Sequence, residues 1–174
     1  NGVFDISSTI SGATIKTLSG NGAVVLGTRT LTLSNAAGTF GGVVDGSGGL
    51  SVTGGSETLT GANTYTGATS VGSGATLTLS GPSSLASGTI NIANDGTFND
   101  SNGGLSASAN VTDNGTLSLG ANEAINQLDG SGAVGLGSHT LTLNQGSFGG
   151  VISGTGGLVK AGDGEQAHPF VFAR

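Results

Sequence analysis

Ten side chains carry carboxyl groups: Asp5, Asp45, Glu57, Asp95, Asp100, Asp113, Glu123, Asp129, Asp163 and Glu165. Hydrolysis of a glycoside needs two of them facing each other across a sugar. No D-x-D pair places two acids on one strand face, and Lys16 and Arg29 have no carboxylate beside them. A Ser–His–Asp arrangement would need His139 or His168. His139 occupies a T-x-T-L-T-L segment at the place where a related segment has Arg29, so it reads as a variable, solvent-facing position. The chain therefore reads as a non-enzyme, with no catalytic, cofactor-binding or metal-binding residue assigned and no cofactor implied.

Three glycine-rich motifs invite other chemistry. "GSGAVG" (130–135) fits G-x-G-x-x-G, but that fingerprint needs a helix to follow, and "LGSHTLTL" is strand-like. Asp45-Gly46-Ser47-Gly48-Gly49 and Asp129-Gly130-Ser131-Gly132 resemble calcium loops without the tandem copies that such loops require. "NDGTFNDSNGG" (94–104) gathers Asp95, Asn99, Asp100 and Asn102, whose oxygens could serve a divalent cation. The plainer reading is favoured: a polar turn whose Asx side chains cap backbone N–H groups. The single Tyr, Tyr65, lies in "LTGANTYTGATSV" (59–71). One aromatic makes no stacking platform. We expect its ring to pack inside a repeat unit and its hydroxyl to find a backbone partner.

Composition indicates what must position these residues. Of 174 residues 36 are Gly, about three times the usual ~7%, and only 8% are charged against a usual ~25%. The plentiful Thr, Val, Ile and Leu suit a pleated, half-buried surface. The net charge is −6 and the four basic residues, Lys16, Arg29, Lys160 and Arg174, are scattered, which argues against nucleic acid or an anionic membrane as partner. No Cys is present for a disulfide or thiolate site. No stretch reaches the ~20 apolar residues of a bilayer span, so direct membrane insertion is not expected. The N-terminus lacks signal-peptide features, and the sequence reads as a mature product or a fragment.

Segments 14–54 and 124–162 are related, with 22 identities over 39 positions once two residues near Ala36–Ala37 are skipped. Ile15/Ile125, Leu31/Leu141, Leu33/Leu143 and Phe40/Phe148 coincide, so glycine bias alone does not explain the match. "TRTLTLS", "GATLTLSG" and "NGTLSLG" are strands by their two-residue alternation, bounded by Gly- and Asn-rich turns. Short strands, no helical periodicity and an internal repeat predict an all-β parallel β-helix, or solenoid, with a β-sandwich as the alternative. About twenty strands at three per turn give roughly six or seven turns. Residues 1–162 form this segment, and 163–174 an atypical tail or cap.

"GGVVDGSGGLSVTGGSETLTGANTYTGATSVGSGATLTLSG" (41–81) and "GGVISGTGGLVKAGDGEQ" (149–166) resemble the passenger-associated transport repeat of bacterial autotransporters. The resemblance implies a right-handed β-helix at the bacterial surface or outside the cell. It also implies a role in passenger export, with the outer-membrane translocator barrel of the full-length protein as partner. The chain departs from the pattern at "AHPFVFAR" (167–174), which reads as an appended scar, a shifted reading frame or a cap. No barrel segment follows, so the resemblance implies one section of a longer protein. Three functions remain: a structural stalk that assists export, an adhesin for host cells, matrix, other bacteria or glycans, and a lattice binder using Thr ladders at 30–32, 76–78 and 140–142. The stalk with an adhesive surface is the expectation.

Overall fold

A computed structural model describes residues 2–161; the expected tail, 163–174, lies outside them. Among the described residues there are 21 short strands and no helix, and every strand pairing is parallel. The strands stack as a β-solenoid of about eight turns. Paired residues lie 17 to 22 positions apart, as in Val111 with Leu128 and Asn63 with Leu85. The turn number exceeds the six or seven expected because some corners carry no strand. Gly20 and Phe40 form only an isolated bridge, as do Gly130 and Phe148.

The coil has three sides. The first begins with strands β1 (Val3–Asp5), β3 (Ala23–Gly27) and β6 (Val43–Gly46), and continues through β9 (Ala62–Asn63) and β12 (Ser84–Leu85). The second stacks β2 (Ala13–Ile15), β4 (Leu31–Leu33), β7 (Leu50–Val52), β10 (Thr69–Val71), β13 (Thr89–Ile92) and β15 (Asn110–Asp113). The third stacks β5 (Ala36–Phe40), β8 (Gly55–Leu59), β11 (Thr76–Leu79), β14 (Thr97–Asp100), β16 (Thr116–Leu119), β18 (Ala133–Gly137) and β20 (Val151–Gly154).

Alternation decides what faces inward. In β4, Leu31 and Leu33 are fully buried while Thr32 is half-exposed. In-register stacking turns this into ladders: Leu33, Val52, Val71 and Ile92 lie one above another, as do Leu77, Phe98, Leu117, Val134 and Ile152. Burying each such aliphatic side chain is worth roughly 1.5–3 kcal/mol. Phe40 is inward, whereas Val43 is 40% exposed and Val44 takes the inward place. The two-residue phase runs Phe40, Gly42, Val44, so Val43 falls on the outside.

The long strand β17 (Glu123–Gly130) bends around a corner. Gln127–Gly130 pair with β15 on the second side, whereas Glu123–Ile125 pair with β19 (Leu141–Gln145), which is followed by β21 (Leu158–Lys160). Two outward residues in succession, Asn126 and Gln127, mark the bend. The related segments consequently stand on different sides. In the first copy β3 pairs with β6 in the three-stranded sheet, and in the second β18 pairs with β20 in the seven-stranded sheet. Both pairings carry the same register shift, at Val25/Gly27 and Gly135/Gly137.

Candidate functional surfaces and buried acids

The GANTYTG stretch is a packing device. Asn63, 2% exposed, accepts the Val44 N–H at Oδ1 (3.1 Å) and donates from Nδ2 to the carbonyls of Gly61 (2.8 Å) and Ser84 (3.3 Å). Its amide therefore ties three tiers together. Tyr65 is fully buried, and its hydroxyl meets Thr69 Oγ1 at 2.7 Å. The partner is thus a side chain and not the expected backbone group, because Thr69 replaces an aliphatic residue in the ladder between Leu50 and Ile90. Burial drives the phenol pKa up, with the Thr69 hydrogen bond opposing.

Four acids occupy places where aliphatic residues stand in neighbouring tiers. Glu57 stacks beneath Leu77, Asp100 lies between Leu79 and Leu119, Asp113 follows Ile92, and Glu123 pairs with Leu141. Glu57 and Asp113 are fully buried, and Asp100 and Glu123 are 1% and 7% exposed. Burial raises the Glu57 carboxyl to about 7. The Leu18 and Gly38 N–H groups and the Thr17 hydroxyl pull it partly back, although neither oxygen reaches hydrogen-bond geometry. Burial likewise raises Asp113 to about 6, opposed by the Gly115 N–H on Oδ1 at 2.9 Å, while Oδ2 has no partner. Glu123 is raised by burial and by the adjacent Asp100 carboxyl. Composition did not reveal these positions, but alternation did carry the signal: "SETL", "TFND", "NVTD" and "EAIN" each place the acid two residues from an inward apolar side chain.

Of the four residues singled out in segment 94–104 only Asp100 and Asn102 come together, the Asn102 N–H reaching Asp100 Oδ1 at 3.5 Å. Asp95 is exposed at a left-handed turn (φ 61°) and accepts from Asn94 Nδ2, while Asn99 donates outward to Thr78 Oγ1 at 3.3 Å. Asp100 turns inward and caps the N–H groups of Gly103 and Gly104, each at 3.1 Å. Among the described residues no three His, Cys, Asp or Glu side chains cluster. Arg29 and His139, expected to face solvent on a strand, are half-buried at corners before the strands. There their own N–H groups donate to Leu26 and Leu136.

Outside, the solenoid presents hydroxyl and amide columns. On the third side Ser56, Thr76, Thr97 and Thr116 form one column, and Thr58, Thr78, Asn99 and Ser118 form a second. Spacings are about 4.8 Å between tiers and ~6.6 Å along a strand. On the second side Ser51, Ser70, Asn91 and Thr112 line a shallow groove of about 250 Å³. The three Thr-Leu-Thr segments considered for lattice binding stand on three different sides, since Leu31, Leu77 and Leu141 belong to different stacks. In comparisons with known proteins, no family model, curated protein or solved structure matches the chain.

Proposed function

We propose that the chain is a stalk segment of a bacterial autotransporter passenger, outside the cell or at its surface, which assists export and presents an adhesive face. The observation that supports the reading is the in-register parallel pairing of each tier with its neighbour. The strands of one tier offer backbone groups and apolar side chains on which the next turn can be laid. Folding one tier at a time outside the cell would hold each emerged segment in place and bias movement through the translocator barrel, the partner this reading implies.

The test is export of a passenger carrying this segment. Replacing inward Leu31, Leu33, Phe40 or Val44 with Ala is expected to reduce secretion, while Thr30→Ser and Thr32→Ser leave it unchanged. Equal secretion of the two sets would overturn the proposal. The hydroxyl columns on the third side favour direct adhesion to cells, matrix or glycans as a second reading, and failure of the purified segment to bind these at micromolar concentration counts against it.

A further inference from the structure

The corner that joins β14 to the first side collects buried oxygens from three successive tiers. Asp100 uses Oδ1 to accept from Gly103 and Gly104, and its Oδ2 is buried without a donor. The Glu123 carboxyl, one tier further on, lies beside Asp100, the two accepting from the consecutive N–H groups of Leu105 and Gly104. Glu123 accepts the Ala124 N–H at Oε1 (2.9 Å) and the Leu105 N–H at Oε2 (3.2 Å). Asn102 donates from Nδ2 to the Ser83 carbonyl at 2.6 Å, which fixes its amide and leaves Oδ1 buried and unpartnered. Ser83, one tier earlier and 2% exposed, has an Oγ that is also without a partner.

Two carboxyls this close in a buried place cannot both carry charge unless something positive lies between them. A proton would answer for the pair but would leave the Asn102 and Ser83 oxygens unsatisfied. A hard cation answers for all four groups, because carboxylate, amide carbonyl and hydroxyl oxygens are its ordinary ligands. We propose that this corner binds a divalent cation, Ca²⁺ by its all-oxygen donor set, through Asp100, Glu123, Asn102 and Ser83. Ca²⁺ is favoured over Mg²⁺ because it tolerates irregular geometry and sheds its water more readily. Bound there, the ion would staple three tiers at the corner where β14 ends.

The experiment uses the purified chain after chelation, titrated with CaCl₂ by calorimetry and thermal melting, with MgCl₂ in parallel. The expected result is one saturable site and a rise in Tm of about 5 °C at a hundredfold excess over Kd. Asn102→Ala and Ser83→Ala should each weaken calcium at least tenfold, by order of magnitude, with the chelated Tm little changed. Glu123→Gln, which keeps the shape and can still hydrogen-bond to Asp100, should abolish the calcium response. Absence of heat and of any Tm change in the wild-type chain at millimolar calcium would overturn the proposal and leave a shared proton in the corner. So would a calcium response that survives Glu123→Gln. Neither result bears on the export reading, which has its own test.

Discussion

Tyr65 and Thr69 share the one side-chain hydrogen bond that links a buried aromatic hydroxyl to a ladder position, Oη to Oγ1 at 2.7 Å, with both residues at 0% exposure. Removing one partner leaves the other buried and unsatisfied, which costs about 1–3 kcal/mol. Tyr65→Phe and Thr69→Val should each lower the urea midpoint. The double variant should recover part of the loss, because two apolar groups leave no orphan. Strict additivity of the two changes would refute the coupling.

Stability should fall as pH rises from about 4 to about 7. Burial holds the Glu57 carboxyl at about 7 and the Asp113 carboxyl at about 6, above their ordinary values of 4.5 and 3.8. The folded chain therefore keeps these protons when the unfolded chain has released them. Their contribution is complete below the ordinary carboxylate range and is lost as pH climbs through the folded-state values. Urea midpoints across this range measure the effect, and Glu57→Gln should remove much of the slope. A flat wild-type profile would contradict the buried placement.

Core substitutions should divide by the phase of alternation. Leu31→Ala, Leu33→Ala and Phe40→Ala should each cost roughly 2–5 kcal/mol through the cavity left behind. Val44→Ala should be clearly destabilising and Val43→Ala close to neutral, since only Val44 is buried. Equal loss at both valines in denaturant titrations would mean the strand sits in the other register.

Gly42 and Gly150 occupy matching places in the two copies. A Cβ at Gly42 would fall on the Gly22 carbonyl oxygen and the Phe40 ring, and one at Gly150 on the Gly132 carbonyl oxygen and the Phe148 ring. Gly42→Ala should therefore force two tiers apart and lower Tm by several degrees, whereas Gly88→Ala, which meets nothing within 4 Å, should not. Comparable melting of the two variants would argue against the close approach.

The solenoid was legible because its signal is local and repeated. Leu31, Thr32 and Leu33 disclose an inward and an outward face by their alternation, and the match of Ile15, Leu31 and Phe40 to Ile125, Leu141 and Phe148 discloses a repeat. What remained hidden depends on the number of residues per turn, which varies from 17 to 22 with the corners. That number decides that Asp100 meets Glu123 from the next tier rather than Asp95 from its own loop. It also decides that Thr30, Thr76 and Thr140 look in different directions. The Val43/Val44 phase turned on a Gly-Gly pair with no side chain to mark which face it belonged to.

The rotated placement of the two related copies makes the molecule a three-sided screw thread. A copied stretch need not span whole revolutions to fit, because every side accepts the same strand-and-corner unit. Duplication then conserves what points inward while dealing the outward residues onto a new side. Length and surface can change independently in such a chain, with the thread itself undisturbed.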